Sequence, residues 1–96
     1  MKDFEENEEL IELIVFGQKR AVENLISKNR NVNVTNKFGQ SAALMAAKQN
    51  NLDILKILVK AGADLSVSDR MEQSPLFWAK YHQNKEMIQY ISRHLK

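Results

Sequence analysis

The side chains that most often carry chemistry are few in this sequence and are not grouped. His82 and His94 lie twelve residues apart, and the chain has no cysteine. Neither histidine therefore has the i, i+4 histidine partner or the thiolate neighbours that tetrahedral metal sites use. The three glycines form neither a Gly-x-Ser-x-Gly nucleophile turn nor a glycine-rich phosphate loop. We predict no catalytic residues, no metal site and no cofactor, and hence a protein that is not an enzyme.

Charge is distributed unevenly along the chain, although the formal net charge is only +2. The first 12 residues contain one base, Lys2, and the acids Asp3, Glu5, Glu6, Glu8, Glu9 and Glu12. The remainder is net basic, but cations such as Lys19 and Arg20 are scattered and lack an aromatic platform on which bases could stack. This arrangement predicts no nucleic-acid binding.

Apolar stretches are short throughout the sequence. The N-terminus is acidic and lacks the apolar region of a secretory signal. The run Ile54–Val59 is interrupted by Lys56 and is far too short to span a bilayer. We predict a cytoplasmic protein without membrane contact.

The sequence repeats with a period of 33 residues over almost the whole chain. The structural units that this period implies determine where each candidate functional residue lies. At this shift Ser41 aligns with Ser74, and Gly17 aligns with Asn50. A fixed period of this length indicates stacked supersecondary units, none of which can bury its apolar face alone. We predict a single domain, 1–96, made of repeats at about 7–35, 36–68 and 69–96.

Each repeat carries signals for two helices. In the second repeat, Ser41 is predicted to be the N-terminal cap of the first helix. In the third repeat, Ser74 has the same role and is followed by Pro75 at the first helical position. With amphipathic spacing elsewhere, these caps predict helices at about 8–15, 19–28, 41–49, 51–60, 75–82 and 85–94. The residues predicted to form the core are Leu13, Val22, Leu25, Ala46, Ile54, Leu58, Ala79, Ile88 and Ile91.

The middle repeat carries the fullest motif. It reads Asn36-Lys-Phe-Gly39-Gln-Ser41-Ala-Ala-Leu-Met-Ala46-Ala47, then Asn50-Asn-Leu-Asp-Ile-Leu-Lys-Ile-Leu-Val, then Lys60-Ala-Gly62-Ala-Asp64. This pattern resembles the ankyrin repeat, and the resemblance covers about residues 7–95. It implies an all-α solenoid of three helix–turn–helix units joined by short β-hairpin-like loops.

Two departures from the ankyrin pattern concern backbone conformation. Glu72 stands where the second repeat has the turn glycine Gly39, and Gln83 stands where the first repeat has Gly17. If the left-handed geometry of these positions is kept, each non-glycine residue is strained by roughly 1 kcal/mol.

The resemblance also implies where a partner protein binds: at the hairpin tips and on the exposed, concave side of the first helices. The residues at these positions are Phe16, Lys37, Phe38, Gln40, Lys48, Gln49, Arg70, Met71, Gln73, Tyr81 and His82. Aromatic and methionine side chains there would supply contact area, and the cations would orient the partner. Alternatively, Phe38 and Met71 fold back onto neighbouring hairpins, and Phe16 folds onto the stem of Lys48.

Two functions follow from these expectations. The first is a protein–protein interaction module that docks a partner protein, such as a small inhibitor, an immunity-type protein or an adaptor. The second is a self-associating structural protein, because Trp78, Tyr90 and Ile91 would leave apolar surface on the C-terminal repeat. We expect a monomer rather than a homodimer. The acidic first repeat is as expected of an N-terminal cap, since end repeats need a polar outer face.

Overall fold

The computed structural model describes residues 2–28 and 31–95, with side chains from residue 8 onward in those ranges. Three of the N-terminal acids, Asp3, Glu5 and Glu6, have side chains outside the described part of the structure. The described residues form six helices and no strand longer than an isolated bridge. The helices are α1 (Lys2–Val15), α2 (Lys19–Ser27), α3 (Ala42–Lys48), α4 (Leu52–Lys60), α5 (Pro75–Tyr81) and α6 (Lys85–His94).

These bounds confirm the predicted order of helices and correct the predicted start of α1. Helix α1 begins at Lys2 rather than near residue 8, because the glutamates that precede the apolar run are themselves good helix formers. None of the helices described here is both long and apolar enough to cross a membrane.

Side-chain caps fix where the helices of the second and third repeats begin. The hydroxyls of Ser41 and Ser74 accept hydrogen bonds from the backbone amides three residues further on, at 3.0 and 3.2 Å. Asn51 and Asn84 cap α4 and α6 in the same way, each at 3.0 Å. The caps recur with the period because the same orphan amides must be satisfied in each repeat.

The core lies between the helix pairs and continues from one repeat to the next. Helix α3 packs against both α1 and α5, and α2 packs against α4. The alanines Ala42, Ala43, Ala46 and Ala47 are buried along α3. Such short side chains let α3 approach the helices on either side closely.

Most predicted core residues are buried, and two are not. The confirmed residues are Val22, Leu25, Ala46, Ile54, Leu58, Ala79 and Ile91. Leu13 and Ile88 are instead half-buried at the edge of the core. In α1 the buried positions are Leu10, Ile11 and Ile14, whose i, i+1, i+4 spacing selects a stripe that leaves Leu13 to one side.

Two hairpin-like loops connect the repeats, as the resemblance implied. Thr35 and Ser41 form an isolated antiparallel bridge at the base of the first loop. The amide of Asn36 donates to the Gln40 carbonyl at 3.0 Å, and Asp69 donates equivalently to Gln73 at 3.0 Å. The two tips therefore have the same fold, one repeat apart.

The left-handed positions expected from the sequence are all kept. Gly17, Asn50 and Gln83 terminate the first helix of successive repeats with φ of 69°, 58° and 55°. Glu72 has φ of 60° at the second hairpin tip, where the first tip has Gly39 at 78°. A side chain at such a φ brings Cβ too close to backbone oxygen, so Glu72 and Gln83 are strained.

Glycine at these positions should therefore stabilise the fold. We expect Glu72→Gly and Gln83→Gly each to be more stable than the corresponding alanine variant by about 1 kcal/mol. Alanine is the matched control because it removes the polar side chain but keeps Cβ. Urea unfolding followed by circular dichroism measures the difference, and equal stabilities of the glycine and alanine variants would contradict the assignment of strain.

Candidate functional site

The two hairpin tips and the end of α3 enclose a groove on one side of the stack. The groove has a volume of about 450 Å³ and is lined by Phe38, Gln40, Lys48, Asp69, Arg70 and Met71. We call these six residues the hairpin groove. Phe38 is 59% exposed and Met71 is 76% exposed, so neither apolar side chain is folded away into the core.

Each hairpin tip is held rigid by one side chain at its base. Asn36 Oδ1 accepts from the amides of Phe38 and Gln40, at 2.9 and 3.0 Å. Asp69 Oδ1 accepts from the amides of Met71 and Gln73, both at 2.9 Å. Phe38 and Met71 are thus carried on turns that are closed by the same pair of side-chain-to-amide hydrogen bonds.

Three cations surround the apolar side chains of the groove. Lys37 Nζ lies 5.4 Å from the centroid of the Phe38 ring, a cation–π distance. The side chain of Arg70 runs across the first hairpin, with Cγ 3.6 Å from where a Cβ on Gly39 would lie. Lys48 forms one wall, and its Nζ lies 5.4 Å from the Trp78 ring. The aliphatic parts of these three side chains lie against apolar atoms, while their charged groups stay accessible to solvent.

An aromatic cluster adjoins the groove through Lys48. Trp78 meets Tyr81 edge-to-face, with centroids 5.2 Å apart. The ring of His82 lies 6.1 Å from Trp78, and its Nε2 is 2.8 Å from the Lys48 carbonyl oxygen. Tyr81 is exposed and extends the surface, whereas His82 is half-buried and joins the third repeat to the second.

Six residues predicted for the site are not among those that line the hairpin groove. Lys37, Tyr81 and His82 lie beside it, whereas Phe16, Gln49 and Gln73 do not contribute to it. Gln49 lines a different hollow, with Asn51 and Lys56, at the turn between α3 and α4. Phe16 is exposed at the end of α1 and is not among the residues that line the groove. Gln73 is half-buried behind the second tip. The groove instead unites Phe38, Gln40, Lys48, Arg70 and Met71 from the predicted set.

A comparison with family models decides the class of this fold. The model described as ankyrin repeats (3 copies) matches residues 10–95, which is almost the whole chain. The chain belongs to the ankyrin-repeat family. Ankyrin repeats generally mediate protein–protein interactions and are typically non-catalytic.

Two of the similar proteins are themselves named as ankyrin repeat proteins, and the share of each relative's length that is matched varies widely. A putative ankyrin repeat protein of Rickettsia bellii (strain RML369-C) is 31% identical over 67% of this chain and 38% of its own length. One from Borreliella burgdorferi (strain ATCC 35210 / DSM 4680 / CIP 102532 / B31) is 29% identical over 88% of this chain and 38% of its own. Neurogenic locus notch homolog protein 1 of Xenopus tropicalis is 40% identical over 60% of the chain and 2% of its own. The chain therefore spans well under half of each of these relatives.

The surroundings of two side chains of this ankyrin-repeat protein, Asp64 and Tyr90, shift their pKa values. Hydrogen bonds from the side chain and then the amide of Ser66 lower the pKa of Asp64. Burial raises the pKa of Tyr90. Neither residue lines the hairpin groove. Within residues 2–28 and 31–95, no three His, Asp or Glu side chains are grouped so that they could hold a metal ion.

Two residues of the site were missed by the sequence analysis. Asp69 is not among the residues predicted for the site, although its equivalence to Asn36 at the 33-residue period could have predicted a matching turn at the second tip. Trp78 was expected to leave apolar surface on the C-terminal repeat and was not assigned to the site, yet it is half-buried and its ring lies 5.4 Å from Lys48 Nζ, beside the groove. The i, i+3 and i+4 spacing of Trp78, Tyr81 and His82 on one helix was the available signal.

Proposed function

We propose that this ankyrin-repeat protein docks a partner protein on the concave side of the stack, with the hairpin groove as the centre of contact. The observation that carries the proposal is the pair of exposed apolar side chains, Phe38 and Met71, on rigid neighbouring tips of one groove. Large side chains on a preorganised scaffold are the usual source of binding energy at protein interfaces. Tyr81 extends the same surface from α5.

We further propose that the chain acts by occupying its partner. It would serve as a small inhibitor, an immunity-type protein or an adaptor, in the cytoplasm and as a monomer. Nucleic acid is not the proposed ligand, because the cations at the groove are few and interspersed with apolar side chains. A site for a phosphate backbone needs a longer track of positive charge.

Self-association through the C-terminal repeat is the second candidate, and one observation favours it. Phe77 is 42% exposed, whereas Leu44 at the same position of the second repeat is fully buried against the next repeat. The prediction that Ile91 would add exposed apolar surface was wrong, since Ile91 is fully buried. Lys80 is exposed where Ala47 is buried, and this charge opposes the packing of a second copy on the same face.

Photo-crosslinking from two matched positions separates the candidates. Phe38 in one variant, and Phe77 in another, would be replaced by p-benzoylphenylalanine in cells that naturally express the protein. We expect position 38 to crosslink to a different polypeptide and position 77 to give no product. A product of twice the chain's mass from position 77, with none from position 38, would contradict docking at the groove and support self-association.

A further inference from the structure

The charges of the hairpin groove are unbalanced on the side that a partner would meet. Lys48 and Arg70 line the groove, and Lys37 lies above the ring of Phe38. Among the described residues, Asp69 is the one carboxylate in the lining. Its Oδ1 already accepts two backbone hydrogen bonds, at 2.9 Å each. Glu72 is on the second tip but outside the lining.

The size of the groove limits what can enter it. A volume of about 450 Å³ is in the lower half of the range for small-molecule sites. It has room for a large side chain with its flanking backbone, and not for a folded element. Phe38 and Met71 stand on opposite tips, so the entering side chain would meet apolar surface from both.

From these features we propose that the partner inserts an acidic segment into the hairpin groove. A large apolar side chain of that segment lies between Phe38 and Met71, and carboxylates beside it pair with Lys48 and Arg70. The inference rests on the proposed docking function and adds the chemical class of the ligand. Carboxylates match the groove because Arg70 offers planar paired donors and Lys48 a mobile point charge.

The test begins with selection from a random dodecapeptide phage library on the immobilised protein. We expect enriched peptides to carry net negative charge together with a large aromatic or aliphatic residue. Synthetic forms of these peptides are then titrated against the protein, with the emission of Trp78, the only tryptophan of the chain, as readout. Binding at Lys48 should change this emission because Lys48 Nζ lies 5.4 Å from the Trp78 ring.

Asp69 provides the sharpest variant, because the other hairpin supplies its control. Asn36 makes the same two amide contacts from the equivalent position, so Asp69→Asn keeps the turn and removes a negative charge. We expect acidic peptides to bind Asp69→Asn about two- to fivefold more tightly, as for a single exposed charge contact. Unchanged or weaker binding, with equal thermal stability, would overturn the charge assignment.

Loss of positive charge should act in the opposite sense. The double variant Lys48→Gln/Arg70→Gln is compared with Lys60→Gln/Lys85→Gln, which removes two exposed cations elsewhere on the surface. We expect about tenfold weaker binding of the acidic peptides for the first pair only. The difference should shrink as NaCl rises from about 0.1 M to about 1 M, where the screening length falls from roughly 10 Å to 3 Å.

Other results of these titrations would separate a failure of the acidic segment from a failure of docking at the hairpin groove. Neutral or basic peptides that bind wild-type protein, and lose affinity with Phe38→Ala, would overturn the acidic segment and keep the groove as the docking site. Peptides indifferent to Phe38→Ala and Met71→Ala would overturn both. Failure to enrich any peptide, or tighter binding of a single-stranded oligothymidine than of the selected peptides, would overturn the inference.

Discussion

Replacing Leu58 with alanine should lower the free energy of unfolding by about 2–5 kcal/mol. Leu58 is 0% exposed and lies on α4 of the middle repeat, which packs against α2 and α3. The truncation removes buried apolar surface and leaves a cavity that the surrounding helices can fill only in part. Because small domains have only about 5–15 kcal/mol of stability, this one change removes a large part of it. Urea unfolding followed by circular dichroism measures the loss.

A matched control for this prediction lies on the same helix. Leu52 is the first residue of α4 and is half-buried, so Leu52→Ala makes the same chemical change with less burial and at the end of the helix. We expect its cost to be well below that of Leu58→Ala. Equal costs for the two variants, or a melting temperature of Leu58→Ala indistinguishable from the parent, would show that position 58 is not at the centre of the core.

The period predicted equivalence between residues better than it predicted their burial. Leu55 and Ile88 occupy the same position of successive repeats, but Leu55 is fully buried and Ile88 is half-buried. The difference arises because a third repeat packs on the second, whereas no further repeat covers the third among the described residues. Burial in a stack depends on neighbours, and a residue's own repeat does not contain that information.

Backbone features of the candidate site were more predictable than side-chain contacts. Glu72 and Gln83 were expected at left-handed positions from their alignment with glycine, and both are found there. His82 and Gln49 are also equivalent by the period, yet His82 bonds the Lys48 carbonyl and Gln49 lines a separate hollow. Equal backbone positions carry side chains of different length and hydrogen-bonding chemistry, so their contacts diverge.

Phe16 shows a further limit of the period. Its position matches Gln49 and His82 by the period, and the resemblance to ankyrin repeats therefore implied that it lies on the binding side. The first repeat has α1 extending back to Lys2, where the later repeats have a hairpin before the first helix. Without an equivalent tip beside it, Phe16 is outside the groove that Phe38 and Met71 form.

Truncating the two apolar side chains of the groove should abolish tight binding without unfolding the protein. We expect Phe38→Ala and Met71→Ala each to weaken the affinity for the partner by roughly 1–3 kcal/mol. Both side chains are largely exposed and belong to turns held by Asn36 and Asp69 through backbone amides. The substitutions leave those hydrogen bonds intact, so the unfolding transition should move little.

Isothermal titration of the purified partner, once crosslinking from position 38 has identified it, measures these losses. Phe77→Ala is the matched control, since it truncates an exposed aromatic residue on the C-terminal repeat. Phe38 and Met71 line one groove from neighbouring tips, so the double variant should deviate from the sum of the single losses. Unchanged affinity for both single variants, with loss for Phe77→Ala, would move the interface to the C-terminal repeat. If only Phe38→Ala and Met71→Ala lose affinity, and the double variant departs from the sum of the two losses, the hairpin groove is the centre of the interface. The two tips, one repeat apart, would then share one desolvated contact with the partner.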